Sequence, residues 1–217
     1  MIPEILDQCL LFDNVAKEDR SAMLACLGAK EKVVRRGQAV FSEGEPAMYV
    51  GIVLEGKVQI EREDYYGNRS IISIAAPGEL FGESFACAEL DTYPVSAVAV
   101  EDSRVMLIDS RRITTPCCNA CHFHSKMIQN MLKVVATSNL ALNRKIEITS
   151  KRTTREKLMA YLMTQAKLHG SNCFTIPYDR QALADYLEVE RSAMSAEISK
   201  LKKDGIIDCQ KSRFCLL

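Results

Sequence analysis

The densest concentration of reactive side chains is TTPCCNACHFHSK at 114–126. Cys117, Cys118, Cys121, His122 and His124 are the thiol and imidazole types that hold zinc or iron, and thiols so grouped also suit oxidant sensing. A compact four-ligand site needs a second ligand pair, which is missing, and on a helix Cys121 and His124 share a face that His122 leaves. Three readings stay open: packing at the start of a helix, a metal site, and a thiol redox sensor. The spacing suits packing best. Elsewhere there is no nucleophile-and-base set, no Walker loop and no dinucleotide fingerprint, so an enzyme is the weakest expectation.

A second constellation lies in DRQALADYLEVERSAMSAEISKLKKDG at 179–205. Two amphipathic segments sit a few residues apart. Asp179 is placed to cap the first, whose Leu183 and Leu187 face inward with Ala182 and Tyr186 nearby. In the second, Met194, Ile198 and Leu201 form the apolar stripe, and Gly205 ends it. Its other side carries Arg191, Ser192, Ser195, Ser199 and Lys202, small or basic groups with no large apolar residue among them. Such a side fits a major groove about 12 Å wide, with Arg191 set for bidentate contact to a guanine. Arg180 and Gln181 would donate to phosphate, and Lys200, Lys202, Lys203, Lys211 and Arg213 add positive charge.

These residues need elements to hold them. From about Glu31 to Asp109, short β-branched runs (KVVRRG, AVF, MYVGIVLEG, KVQIERE, RSIISIA, VSAVAV, SRVMLID) alternate with glycines, the texture of an antiparallel barrel or sandwich. Before them, PEILDQCLLF and KEDRSAMLACL read as short helices, with Asp13 and Asn14 as turn and cap residues of the second. After Pro116 the pattern is helical for nearly thirty residues, with apolar or small residues at Met127, Ile128, Met131, Val134, Val135, Ser138, Ala141, Leu142 and Ile146. That spacing reads as a seam for a second copy of the helix. TTREKLMAYLMTQAKLHG is a helix opened by Thr153 or Thr154 and stopped by Gly170. With CFTIP, the helix pair, GIIDC and RFCLL it makes three helices and a small hairpin, a winged helix-turn-helix.

Composition is compatible with this division. The formal charge is +0, yet residues 151–217 carry 12 Lys and Arg against 8 Asp and Glu, leaving 16 against 20 of the 28 and 28 in residues 1–150. A basic bias confined to one segment suits a polyanion-facing module. No apolar run approaches the ~20 residues of a membrane span, and the N-terminus lacks the order of a signal peptide, so the cytoplasm is expected. Nine cysteines, an odd number, in a chain of this size predict reduced thiols.

The chain resembles the Crp/Fnr family of bacterial transcription regulators from about Phe12 to Leu217. The resemblance rests on GEPAMYVGIVLEGKVQI at 44–60, PGELFGE at 77–83 and RQALADYLEVERSAMSAEISKLKKDGII at 180–207. It implies an α+β architecture: an N-terminal antiparallel β-roll or jelly-roll effector domain (1–115), a dimerisation helix (116–149) and a winged helix-turn-helix DNA-binding domain (150–217). It also implies an effector-responsive homodimer that reads an inverted-repeat operator in double-stranded DNA, with RNA polymerase as a candidate partner and no membrane. The redox- or metal-sensing alternative would signal through Cys117, Cys118 and Cys121.

Cyclic-nucleotide-binding members of that family place a Gly-Glu pair and, some ten residues later, an Arg-Ser pair in one loop, the arginine holding the cyclic phosphate. Here Gly82 and Glu83 match the first pair, with Ser84 beside them, but the second reads Val95-Ser96 in the longer loop ESFACAELDTYPVSA. Valine cannot donate to phosphate; losing a charge-assisted contact of about 1.5–3 kcal/mol implies at least a ~10-fold loss of affinity. A small-molecule effector other than cyclic AMP is therefore expected, its identity open, in a pocket of Gly82, Glu83, Ser84, Val95, Ser96, Thr137 and Ser138. Glu83 could alternatively cap the short helix that follows it. The reading helix departs from the family too, with Ala196 where a second arginine is common and Ser192 where some members have glutamate. Iron–sulfur members have an N-terminal cysteine cluster, whereas this chain has only Cys9 and Cys26 there.

Overall fold

The computed structural model describes residues 3–114 and 123–217. The chain divides into two compact units, residues 1–67 with 72–139, and residues 68–71 with 140–217.

The first unit is built on two four-stranded antiparallel sheets. One has the order β1-β8-β3-β6, from β1 (Lys30–Val34), β3 (Tyr49–Glu55), β6 (Leu80–Phe81) and β8 (Ser103–Asp109). The other is β2-β7-β4-β5, from β2 (Ala39–Phe41), β4 (Val58–Glu63), β5 (Arg69–Ala75) and β7 (Ser96–Ala99). The expected runs thus all become strands, and β6, two residues inside PGELFGE, is the one the pattern did not reveal.

Strand β3 is buried almost from end to end because both of its faces are covered. Val50, Ile52 and Leu54 belong to a core shared with Met106 and Ile108 of β8, while the intervening Val53 belongs to the core between the sheets with Val105. That alternation is the period-2 rule applied to a strand with no solvent side. Gly51 sits in the second set, paired with Phe81 in the β3–β6 ladder. A Cβ at residue 51 would lie 2.1 Å from Phe81 Cζ, so the glycine makes room for the ring. Phe41 stacks on Tyr93 with centroids 3.8 Å apart, and the Tyr93 hydroxyl donates to the Tyr49 carbonyl at 2.6 Å.

The N-terminal segment departs from expectation. PEILDQCLLF forms 3-10 turns at Glu4–Gln8 and Leu10–Phe12, placing Leu6, Cys9, Leu11 and Phe12 in the outer core. Helix α1 (Lys17–Cys26) is preceded by Ala16, which makes no side-chain cap, and neither Asp13 nor Asn14 caps it; Asn14 takes a left-handed φ of 54° in the turn before it. The turn is tied down instead by Asn130, whose side-chain amide donates to the carbonyls of Leu11 and Asp13 at 3.0 and 2.8 Å.

Two short helices follow their strands, α2 (Glu83–Cys87) and α3 (Ser110–Thr114), and Asn130 lies on α4 (Phe123–Thr149). Helix α4 corrects the expected seam. Met127, Met131 and Val134 are buried in the outer core of the first unit, so they pack on their own sheet. Ile128, Leu142 and Ile146 of the expected seam are exposed and Val135 is half-buried, and with exposed Leu132, which the pattern did not include, they leave an apolar stripe bare.

The second unit contains α5 (Thr154–His169), β9 (Cys173–Thr175), α6 (Arg180–Leu187), α7 (Arg191–Lys203), β10 (Ile207–Gln210) and β11 (Arg213–Leu216). A reciprocal capping box of Thr153 and Glu156 starts α5, and Gly170 closes it. The sheet order is β10-β11-β9. Against the expectation of reduced thiols, Cys173 and Cys215 are joined by a disulfide across β9 and β11. Forty-two residues of sequence separation hid their opposition, which only the strand register creates.

Replacing Gly51 with Ala forces a methyl group into the Phe81 ring. It should cost about 3 kcal/mol in urea unfolding, and Gly51→Ala combined with Phe81→Leu should regain part of the loss. An unchanged midpoint in Gly51→Ala would contradict the close approach.

Candidate nucleic-acid interface and ligand cradle

Helix α6 starts where the sequence indicates: the Asp179 carboxylate accepts from the Ala182 N–H at 2.8 Å. Leu183, Ala184 and Leu187 are buried beneath it. The helix stops at Glu188, which adopts a left-handed φ of 54°, and α7 begins three residues later. Lys157 on α5 donates to the carbonyls of Leu187 and Glu188 at 3.4 and 3.3 Å, a cation set against a helix C-terminus. Arg155 pairs with Asp204 at 3.3 Å at the far end of α7. Arg155 and Lys157, the basic residues in the first turn of α5, therefore tie down the helix pair, a role their positions in the sequence did not suggest.

Three tyrosines complete the support. Tyr178 stacks on Tyr186 with centroids 4.9 Å apart, and both rings lean on Tyr161 at 6.2 and 5.4 Å. Burial raises the pKa of all three phenols, so they act as neutral packing groups. A stripe of tyrosines carries no signature separable from ordinary core.

Helix α7 turns Met194, Ile198 and Leu201 inward, all buried. That rotation leaves Arg191, Ser192, Ser199, Lys200 and Lys202 exposed and Ser195 half-buried, with exposed Ala193 and Ala196 between them. Arg191 and Ser192 make no side-chain hydrogen bond or ion pair among the described residues. Ser199 donates to the Ser195 carbonyl at 3.0 Å, which keeps that side of the helix slim.

The remaining basic groups differ in availability. Lys200 pairs with Glu197 at 2.7 Å and Lys202 with Asp208 at 2.8 Å, the latter carboxylate raising the lysine pKa. Arg180 lies over the Phe214 ring at 5.0 Å and donates to Cys209 Sγ at 3.5 Å, so it packs against the sheet. Gln181 donates to Asp185 at 2.7 Å. Lys211 and Arg213, at the β10–β11 turn, are exposed.

In the first unit, Gly82 precedes α2 with a φ of 76°, and a Cβ there would meet Phe41 Cζ at 3.1 Å. Glu83 is the first residue of α2 and not its cap. Its buried carboxylate accepts from the Ser138 hydroxyl of α4 at 2.7 Å and lies 3.5 Å from Ser84 Oγ. Glu83, Ser84 and Ser138 are thus brought together. Val95 is turned into the core between the sheets, Ser96 accepts from the Glu43 N–H at 3.0 Å, and Thr137 is exposed.

Of the cysteine and histidine cluster, Cys117, Cys118, Cys121 and His122 lie outside the described residues. His124 is buried, its Nε2 donating to the Arg112 carbonyl at 3.3 Å. Among the described residues no group of His, Cys, Asp and Glu is arranged to hold a metal ion. No helix among them is long and apolar enough to cross a membrane.

Comparison with known proteins matches both units to families. Residues 31–115 match the cyclic nucleotide-binding domain and residues 156–217 the Crp-like helix-turn-helix domain. The transcriptional activator protein FnrA of Stutzerimonas stutzeri is 21% identical over 182 residues, 82% of this chain and 72% of that protein. The cyclic AMP receptor protein of Thermus thermophilus is 30% identical over 98 residues, 45% of this chain and 44% of that protein. Among solved structures, the c-di-GMP responsive regulator CLP of Xanthomonas campestris shares the fold at a TM-score of 0.76 and 18% identity, covering 93% of this chain and 99% of its own. FixK2 from Bradyrhizobium japonicum does so at 0.69 and 21%, covering 87% and 92%. Neither matched family is catalytic. With a cyclic nucleotide-binding domain ahead of a Crp-like helix-turn-helix on one chain, the protein belongs to the Crp/Fnr family of bacterial transcription regulators.

Proposed function

We propose that the protein is an effector-responsive homodimer of the bacterial cytoplasm that binds an inverted-repeat operator through α7 and regulates transcription there, without enzymatic activity. The observation that carries this reading is the side of α7 led by Arg191 and Ser192, which is exposed and unoccupied while the opposite side is fully buried. Arg191 in the first turn reads a base edge, and Ser192, Ser195 and Ser199 supply short hydrogen-bonding groups along the groove. Lys211 and Arg213 contact phosphate. Lys200, Lys202, Arg180 and Gln181 already have partners within the chain and contribute to phosphate binding only by exchanging them.

Dimerisation uses the bare stripe of α4. Ile128, Leu132, Val135, Asn139, Leu142 and Ile146 follow one another at intervals of four and three, the a/d spacing of a two-stranded coiled coil. Pairing of this stripe on α4 (Phe123–Thr149) sets two reading domains of residues 150–217 about 34 Å apart, one duplex turn; residues 116–122 of the expected dimerisation helix lie outside the described residues. RNA polymerase is the downstream partner through exposed loops.

The effector domain, residues 1–115, senses its ligand at Glu83. Because Glu83 bonds Ser138 on the dimerisation helix, a ligand that takes over either group changes what holds that helix against the cradle. Cyclic AMP is not that ligand, since Val95 is packed inward where a phosphate-binding arginine would be needed.

Retention of genomic duplex fragments, followed by sequencing, tests the whole reading: enrichment of inverted repeats with salt-sensitive binding is expected, and its absence overturns the assignment. On an enriched duplex, Arg191→Ala should cost about 1–3 kcal/mol and relax preference at one position of each half-site, whereas Lys211→Ala should weaken all sequences alike and lower the salt slope by about 1. Leu132→Glu with Leu142→Glu should halve the mass seen by light scattering and abolish cooperative operator binding. Cyclic AMP at 1 mM, about the upper range of metabolite concentrations, should shift the melting temperature by less than about 1 °C.

A further inference from the structure

The sheet of the second unit carries a chemistry that DNA reading does not use. Cys173 and Cys215 oppose each other in the β9–β11 ladder with Cα atoms 4.1 Å apart. The Leu216 N–H donates to the Asn172 carbonyl and the Ile176 N–H to the Ser212 carbonyl, each at 2.9 Å, so hydrogen-bonded pairs fall at 172/216 and 176/212. Counting along the ladder, Cys173 and Cys215 occupy a non-hydrogen-bonded pair, the position where opposed side chains come closest. Their neighbours Phe174 and Phe214 are buried, which turns the cysteines to the outer face; Cys173 is exposed and Cys215 half-buried. The two sulfurs bond without moving the backbone and stay within reach of small solutes.

We propose that Cys173 and Cys215 form a reversible thiol–disulfide modification site on the wing sheet, closed by a low-molecular-weight disulfide of the glutathione type. The thiolate of the exposed Cys173 attacks one sulfur of the small disulfide and expels the first small thiolate. Cys215 then attacks Cys173 Sγ in the mixed disulfide and expels the second. Two electrons and two protons leave the protein, appearing in two small thiols, and excess dithiol drives the same steps backward.

The crosslink spans 42 residues that hold β9, α6, α7, β10 and β11. It therefore closes a loop around the reading helix and wing while leaving α5 outside, removing freedom from the unfolded state of that segment. It also clamps β9, an edge strand of three residues. The other described thiols do not share this placement. Cys209 pairs with Phe214 on the inner face, and burial pushes the Cys9 thiol up to about 11 and raises that of Cys87.

The bond itself is independent of the regulator reading; only its effect on DNA binding rests on it. The test equilibrates the full chain at a series of oxidised-to-reduced glutathione ratios, alkylates it, and maps peptides by mass spectrometry. A peptide pair linking Cys173 to Cys215 should appear on oxidation, vanish in excess dithiothreitol, and be absent from Cys173→Ser and Cys215→Ser. Amide exchange at Ile176 and Leu216 should slow about 10-fold or more in the oxidised chain. Retention of duplex DNA should tighten about 3-fold or more on oxidation, a change missing from both serine variants. No linked peptide at any ratio, a link that resists dithiothreitol, or equal exchange in both states overturns the proposal. Reversible linkage and slowed exchange with no duplex retention in either state upholds the site and removes the regulator reading instead.

Discussion

Burial of Met194, Ile198 and Leu201 on one side of α7 is the constraint on which the rest depends. On a helix of 3.6 residues per turn, three fixed inward positions fix every outward one, so the rotation that fills the core also decides that Arg191 and Ser192 face solvent. The supports around α7 serve that rotation. Lys157 at the end of α6, Arg155 at the end of α7 and the tyrosines beneath α6 each remove a way for the pair to roll. None touches the outward side, which is why the small residues there can be chosen for a partner rather than for stability.

The same logic, with two covered faces in place of one, shapes the first unit. Strand β3 sends alternate residues into two cores, and α4 packs Met127, Met131 and Val134 inward while Ile128, Leu132 and Ile146 remain outside. A single helix thus closes its own core and presents a second apolar stripe, one quarter-turn or so away. The stripe has the narrow seam spacing of a coiled coil, which a helix serving only its own core has no reason to keep.

The fold was legible because its marks are local. Asp179, Thr153 and Gly170 cap helices by chemistry confined to a turn, and alternation in the β runs survives wherever one face is buried. What was not legible depends on contacts distant in sequence. The inward and outward halves of α4 are both apolar, so only the sheet beneath decides that Met131 is core and Leu132 is not. The reach of Asn130 to the Leu11 carbonyl, the pairing of Glu83 with Ser138, and the opposition of Cys173 to Cys215 are each created by topology. Asn14 failed as a cap because its residue type serves a left-handed turn equally well.

Charge counting along the sequence overstates the basic surface of the second unit. Lys200 and Lys202 face Glu197 and Asp208, Arg155 faces Asp204, and Arg180 lies against Phe214. Exposed ion pairs of this kind are worth little to stability, so their carboxylates can yield a lysine to phosphate at small cost. Each pair cancels a cation locally, so the surplus of 12 Lys and Arg over 8 Asp and Glu in residues 151–217 is carried by groups outside these pairs, Arg191 among them. Under the function proposed above, non-specific attraction to DNA would be weak, and discrimination would fall to the few groups with no internal partner, Arg191 foremost. A reader built as proposed would gain its preference for one sequence by suppressing its affinity for all the others.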